Sequence, residues 1–324
     1  MNNLKNILVT GTTGFIGSVV TESLVNSGFQ VIGIDNFQSS KKKYINPKIK
    51  FHYGDYGDIS IIDKIFSTEK VDCVFHFAAE TTVDFSLTNP SQYFKNNVVN
   101  GINLLDIMLK HNCRNIIFSS TAATYGEPVY TPIDEGHIQK PINSYGESKL
   151  MFEKILDWYH RAYGLRYNLF RYFNAAGAIE NYGEDRKHET HLLPLVLDSA
   201  LNGKNNLKIF GNDYTTKDGT CIRDYVHVAD IAAGHILGIY NLEKNPAGKY
   251  NLGSGDGFSI LEVIKTVEEV IGNKVNYEIS PRREGDPAVL VASNGHARSE
   301  LGWNPVRSSL DRIVSDSYEW IKKL

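Results

Sequence analysis

Tyr145-Gly146-Glu147-Ser148-Lys149 places a phenol and an amine four residues apart, so on a helix both project from one face. A phenolate is a base for an alcohol proton, and a neighbouring ammonium draws the phenol's pKa toward neutrality. Upstream, Thr10-Gly11-Thr12-Thr13-Gly14-Phe15-Ile16-Gly17 forms a glycine-rich turn between a strand-like and a helix-like run. Its GxxGxxG spacing lets the backbone approach a pyrophosphate, whose charge meets the helix N-terminus. A base beside a cation, on a chain that holds a dinucleotide, points to hydride transfer at a carbinol. Glycine turns without ligands and polar i,i+4 pairs on helix surfaces are both common, so each motif alone is weak. Together, in this order, they are strong.

Further groups support the same chemistry. Asp35 ends the second strand-like run, where a carboxylate accepts hydrogen bonds from both hydroxyls of an adenosine ribose and repels a 2′-phosphate. That favours NAD over NADP, with Lys41-Lys42-Lys43 read as a solvated face. Asp55 closes Tyr53-Gly54-Asp55, where it serves either adenine or a surface cap. Ser144-Tyr145-Gly146-Glu147 has the form of a capping box, with Ser144 as N-cap and Glu147 as its reciprocal partner. Tyr145 would then lie in the first helical turn, where the dipole favours phenolate. Bringing a tyrosine from near 10 to about 7 takes roughly 4 kcal/mol, within reach of an ammonium, an oxidised nicotinamide and a helix N-terminus combined. Phe118 to Gly126 leaves a strand end rich in hydroxyls; Thr121 is placed to bond a substrate hydroxyl, and local turn bonding accounts for Ser119, Ser120 and Thr124. Arg223 and Arg283 stand in loop-like segments, where guanidinium forks suit phosphates.

Positioning these groups requires strands at 6–10, 30–35, 49–53, 71–79, 115–120 and 166–173, with helices between them. Those helices cover 59–67, 90–111 and the segment carrying Tyr145, and the first ends at Ser27-Gly28. The near-continuous apolar strands and the alternation with helices predict an α/β fold with a doubly wound parallel sheet. The rhythm changes after Phe173. A Gly- and Asn-rich loop at 174–190 precedes helices at 192–201, 227–242, 259–271 and 309–323, and strands at 207–210, 249–252 and 275–279. We expect a dinucleotide-binding Rossmann domain over 1–173, with 226–253 packing back onto it. A smaller α/β substrate-binding lobe would comprise 174–225 and 254–324.

The 324 residues are 42% hydrophobic and carry a net charge of −3, which gives no electrostatic reason to expect nucleic acid or an anionic membrane. No apolar run approaches the ~20 residues of a membrane span. The N-terminal segment, Met1 to Lys5, runs into a strand without a signal-peptide pattern, and Cys73, Cys113 and Cys221 form no CxxC. Reduced core thiols and a cytoplasmic location are the expectation, and no metal site is read.

Thr10-Gly11-x-x-Gly14-x-x-Gly17, Thr121, Tyr145-x-x-x-Lys149 and Arg171-Tyr172-Phe173-Asn174 together resemble the extended short-chain dehydrogenase/reductases. Phe210 to Tyr214, Asp218 to Val228, and Pro281 to Asp286 are similar to the UDP-galactose 4-epimerase group, so the resemblance covers essentially the whole chain. It implies a tightly held NAD regenerated at each turnover, Tyr145 taking the proton of the sugar 4-hydroxyl, and a 4-keto sugar that turns and is reduced on its other face. By position, the resemblance puts Thr121, Tyr145 and Lys149 in the catalytic set. Gly11, Gly14, Phe15, Ile16, Gly17, Asp35, Asn36, Ser39 and Ser40 would line the cofactor. So would Asp55, Tyr56, Phe77, Ala78, Ala79, Thr81, Asn96 and Phe173, together with Tyr145 and Lys149. Asn174, Leu192, Ile209, Phe210, Arg223, Tyr225, Arg283, Asp286 and Leu290, with Thr121, would hold the UDP-sugar. The resemblance also implies a homodimer joined by helices near 91–111 and 145–163.

Three positions depart from the group. Thr81 stands where many of these epimerases carry a lysine on the cofactor, and Thr121 where many carry serine. Leu290 stands where epimerases restricted to non-acetylated sugars carry a tyrosine, so the resemblance implies room for a 2-acetamido group. A 4,6-dehydratase needs an acid and a base after Thr121, and Ala122-Ala123 supplies neither. A 4-epimerase of UDP-glucuronate or of a UDP-pentose is the nearer alternative. A non-enzymatic NAD-sensing protein would have no use for the tyrosine–lysine pair.

Overall fold

The computed structural model describes residues 4–186, 189–203, 207–283 and 286–324. Lys187 and His188 of the expected loop, and Glu284 and Gly285 of the Pro281 to Asp286 segment, lie outside the described residues. The chain divides into two compact units, one of 1–126, 139–171 and 232–250, the other of 127–138, 172–231 and 251–324.

The first unit begins β1 (Asn6–Thr10), α1 (Phe15–Asn26), β2 (Gln30–Asp35), β3 (Lys50–Tyr53), α2 (Ile59–Thr68) and β4 (Cys73–His76). It continues through α3 (Val83–Thr88), α4 (Pro90–Tyr93), a π-helical turn (Phe94–Val99), α5 (Asn100–Lys110), β5 (Asn115–Thr121), α6 (Ser144–Tyr163) and β6 (Arg166–Tyr172). With β11 (Ala247–Leu252), these strands form a seven-stranded sheet in the order β11-β6-β5-β4-β1-β2-β3. β1 pairs in parallel with both β2 and β4, β2 with β3, and β4 with β5. The chain moves outward from β1 to β3, then crosses back to β4 on the other side. β1 and β4 stay paired through Thr10 and His76, and the reversal of strand order between them falls at their carboxyl ends, the position where such sheets hold ligands. Leu8, Val74, Ile116, Leu104 and Phe152 are fully buried beneath it, each contributing about 1.5–3 kcal/mol.

The second unit contains β7 (Asn174–Ala176), α7 (Leu192–Asn202), β8 (Leu207–Phe210), β9 (Ile222–Arg223) and β10 (Tyr225–His227). α8 (Val228–Asn241) starts in this unit and runs into the first. Then come β12 (Phe258–Ser259), α9 (Ile260–Ile271), β13 (Tyr277–Ser280), β14 (Val289–Leu290), α10 (Gly295–Leu301) and α11 (Leu310–Ile321). Its core packs α7, α9 and α11 around Val196, Val263, Val267 and Ile313. Small sheets β10-β7, β12-β9-β14 and β13-β8 border it.

Four local expectations change. The strand expected over 71–79 ends at His76, because the N–H groups of Phe77 and Ala78 turn to the Thr10 carbonyl, each at 3.1 Å. The single helix expected over 90–111 is α4, the π turn and α5; the wider turn carries Asn97 into the interior, 3% exposed. The loop expected over 174–190 opens with β7, paired in parallel with β10. Asn143, not Ser144, caps α6: its side chain accepts from the Gly146 N–H at 2.8 Å, while the Ser144 hydroxyl donates to the Ser86 carbonyl. An amide side chain one residue earlier already fills the capping position, so the serine is free for a tertiary bond.

The glycine turn is held by backbone proximity. Gly11 has φ +71°, and a Cβ on Gly17 would lie 2.0 Å from the Gly11 carbonyl oxygen. Gly17→Ala is expected to destabilise the fold by about 1–3 kcal/mol and to displace the turn, read by chemical denaturation with and without added NAD.

Candidate active site

β5 and α6 bring the catalytic candidates together. Thr121 ends β5 and its hydroxyl accepts from the Ala123 N–H at 3.1 Å. Tyr145 is the second residue of α6, half-buried, with its ring edge-on to Tyr93 at 6.5 Å. Gly146 follows, and a Cβ there would lie 2.5 Å from the Ala123 carbonyl oxygen. A side chain at 146 would push the start of α6 away from the turn that follows Thr121.

Lys149 is one turn further on and 3% exposed. Its ammonium donates to the Ser119 carbonyl at 2.8 Å and lies 4.8 Å from the Phe118 ring centroid. Burial pushes its pKa down to about 7, opposed by the Glu153 carboxylate one turn beyond. Lys149 is therefore a cation at the edge of ionisation rather than a surface lysine.

Three interior groups at this junction were not singled out by spacing. His76, at the end of β4, bonds Thr10 through its Nδ1 at 2.8 Å and packs against Tyr56, Phe118 and Phe152. Burial, with the Lys149 ammonium nearby, pushes its pKa down to about 3, so it is neutral. Glu153 and Arg171 form a buried ion pair at 2.7 Å. The i,i+4 spacing of Lys149 and Glu153 was the available signal, but a carboxylate on a long amphipathic helix ordinarily reads as solvated.

The cofactor candidates cluster at the ends of β1, β2 and β4. Gly14 is the N-cap of α1 and supplies no side-chain acceptor, so the N–H groups at Phe15, Ile16 and Gly17 have none from the cap. A Cβ on Gly11 would lie 2.8 Å from the Ala78 nitrogen, so Ala78 and Ala79 pass directly beside the turn. Asp35 is oriented by the Thr13 and Phe37 N–H groups at 3.0 and 2.8 Å and by the Ser40 hydroxyl at 3.3 Å. Asn36 donates to Asp55 at 2.9 Å, and Tyr56 donates to the Asn96 carbonyl. Ser39 and Thr81 are exposed, Phe77 lies 5.0 Å from the His235 ring, and the Phe173 N–H reaches the Leu252 carbonyl at 3.4 Å. A polar cleft of about 590 Å³, lined in part by Gln38, Glu80, Gln92 and Asn96, adjoins these residues. The side-chain-free helix cap, the close backbone turn and the pre-oriented Asp35 carboxylate fit a pyrophosphate and an adenosine ribose.

In the second unit, Arg223 pairs in register with Leu290 on β14 and with Phe258 on β12. It is 8% exposed and forms an ion pair with Asp286. Arg283 lies 4.0 Å over the Phe210 ring. Asn174 and Tyr225 are partners in β7–β10, and Leu192 starts α7. Ile209 and Tyr225 are buried in the core of this unit. Asp224, which lies within the Asp218 to Val228 motif without a role assigned to it, is fully buried and accepts from the Ser254, Gly255 and Ala292 N–H groups.

The switched parallel sheet, the glycine turn and the tyrosine–lysine pair at the end of β5 define a dinucleotide-dependent enzyme class. The chain belongs to the NAD-dependent epimerase/dehydratase family, whose profile matches residues 7–253. It is 47% identical over 320 residues to the UDP-glucose 4-epimerase of Halalkalibacterium halodurans, covering 98% of this chain and 96% of that one. The crystal structure of the Bifidobacterium longum UDP-glucose 4-epimerase in complex with NAD+ and UDP superposes with a TM-score of 0.93, at 38% identity and 98% coverage of each chain. The UDP-Glc/GlcNAc 4-epimerase of Campylobacter jejuni superposes with a TM-score of 0.87, at 37% identity, covering 99% of this chain and 100% of that one.

Lys149→Met is expected to abolish activity while stabilising the fold at neutral and acidic pH. The folded protein holds the Lys149 proton less tightly than the unfolded chain does. Wild-type stability therefore rises relative to the variant as pH climbs from about 7 toward the unfolded lysine range near 10.4, and the variant's advantage fades over that window. Thermal denaturation across pH checks this.

Proposed function

We propose that the protein interconverts UDP-hexoses at C4, acting on UDP-galactose and UDP-glucose and on their N-acetylated counterparts. The observation that carries the reading is the pairing of Tyr145 with a buried Lys149 at the end of β5, in a chain with the fold of UDP-glucose 4-epimerases. NAD, when bound, accepts hydride from the sugar and returns it. Gly11, Gly14 and Gly17 admit its pyrophosphate, and Asp35 receives the adenosine ribose.

Tyr145 takes the proton from the 4-hydroxyl and later gives it back, with Lys149 holding the phenolate form within reach of neutral pH. Thr121 donates to the sugar oxygen as carbonyl character develops. Arg223 and Arg283 hold the diphosphate, while Asn174, Tyr225, Phe210 and Asp286 hold the rest of the nucleotide. With the nucleotide fixed and the hexose tethered only through its phosphate link, the oxidised sugar can turn and present its other face. Leu290, half-buried on β14, is smaller than a tyrosine, and that difference supports acceptance of a 2-acetamido group. Two features support an assembly of two copies through α6 and the helical segment formed by the π turn and α5: Val99, at the end of the π turn, is 50% exposed and Trp158 on α6 is 66% exposed. The free, buried cysteines fit a cytoplasmic setting.

Purified protein without added NAD is expected to epimerise both UDP-galactose and UDP-N-acetylgalactosamine, followed by NMR of the product epimers. Turnover of neither, even with NAD added, would redirect the assignment to UDP-glucuronate or UDP-pentoses. Tyr145→Phe should lower kcat by about 10²–10⁴-fold. Leu290→Tyr should retain UDP-galactose turnover while losing most turnover of the N-acetylated sugar. Trp158→Asp should halve the mass seen by sedimentation if α6 joins two copies.

A further inference from the structure

Three consecutive residues at the end of β5 are used differently. The Ser119 carbonyl receives the Lys149 ammonium at 2.8 Å, the Ser120 hydroxyl donates to the Glu153 carboxylate, and the Thr121 hydroxyl is a catalytic candidate. Lys149 and Glu153 are one turn apart on α6, so two successive rungs of the helix grip two successive residues of the strand. Glu153 is 1% exposed, and its carboxylate is saturated with donors. Beyond Ser120, it accepts from Arg171 Nε at 3.0 Å, Arg171 Nη2 at 2.7 Å and Gln139 at 3.1 Å. Arg171 is held in turn by the Tyr125 hydroxyl at 2.8 Å.

Among the described residues, the groups facing Lys149 come from three elements. Tyr145 and Glu153 come from its own helix, neutral His76 from β4, and the Ser119 carbonyl and Phe118 ring from β5. Arg171 stands behind Glu153 on β6. A buried ion pair is seldom retained for stability alone, because removing two charges from water costs about as much as their attraction returns.

We propose that Glu153 is a positioning residue for the Tyr145–Lys149 pair: its carboxylate ties the end of β5 to α6 and keeps the Lys149 amine cationic, while Arg171 limits how far that negative charge reaches. The proposal rests on the reading of Lys149 as the cation beside the base. It gives Arg171, part of the Arg171-Tyr172-Phe173-Asn174 motif, an electrostatic purpose distinct from ligand binding.

The test titrates Lys149 directly, by NMR of protein labelled at lysine ¹³Cε, with the Lys149 signal assigned by its loss in Lys149→Met. Glu153→Gln should lower the Lys149 midpoint by on the order of one pH unit, and Arg171→Gln should raise it. The double variant should fall between them. Midpoints that stay fixed, or that move the same way in both single variants, would overturn the proposal, since loosened packing alone has no sign. If Glu153→Gln does not fold by circular dichroism, Arg171→Gln and the double variant decide: a double variant below Arg171→Gln supports the proposal, and coincidence overturns it. The alkaline limb of kcat/KM for UDP-galactose should follow the same order, and a limb indifferent to these midpoints would also overturn it. Midpoints that move as expected in a protein that never turns over UDP-galactose would instead refute the substrate assignment and leave Glu153's role standing.

Discussion

The site depends on keeping an ammonium out of water. Lys149 is 3% exposed, and the hydration it loses is replaced by the Ser119 carbonyl, the face of the Phe118 ring and the Glu153 carboxylate. Burying an unpartnered ammonium costs several kcal/mol, so α6 must lie against β5 closely enough for the carbonyl and the ring to act at once, with Glu153 adding its charge from the same helix. Gly146 permits that approach by leaving the Ala123 carbonyl unobstructed. The same burial keeps His76 neutral, and the π turn swings Asn97 inward to bond both the Glu80 backbone and the Ser148 hydroxyl at 3.0 Å. Interior polarity here is arranged around Lys149 and the Glu153–Arg171 pair behind it.

At the carboxyl end of β1 the constraint is backbone proximity. Gly11 and Gly17 meet at a distance no side chain tolerates, which brings the first turn of α1 beside Ala78. Asp35 is oriented by the chain's own backbone, because Phe37 adopts φ 58° and turns its N–H onto the carboxylate. A phenylalanine in the left-handed region is strained by about 1–3 kcal/mol. Its ring stacks on Phe51 and Tyr53 at 5.5 and 5.6 Å, which offsets that strain.

The second unit solves a related problem without a cation. Asp224 is fully buried, and burial lifts its pKa to about 6 against the pull of its hydrogen bonds. Backbone N–H groups of Ser254, Gly255 and Ala292, with the Ser254 hydroxyl, hold it. Its own backbone bonds Asn174 at 2.9 Å and Leu290 at 3.0 Å. Through its backbone and its carboxylate together, this one residue ties the segments bearing Asn174 and Leu290 to those bearing Ser254 and Ala292.

What the sequence determined by itself was local or periodic. β1, the glycine turn and α1 follow from one contiguous stretch; Asp35 follows from its place at a strand end; Tyr145 and Lys149 share a face because 3.6 residues make a turn. Apolar strands alternating with helices were enough for the parallel sheet, since only burial on both faces suits them. Tertiary structure decided what depended on distant partners. Ser144 lost its capping position to Asn143 and bonded Ser86 instead, and the long helix at 90–111 broke where Asn97 had to turn inward. Glu153 and Arg171 look like surface charges until the sheet closes over them, and Asp224 looks like a loop residue until three segments converge on it. A charged residue's type is written in the chain, but whether water reaches it is a property of everything packed around it.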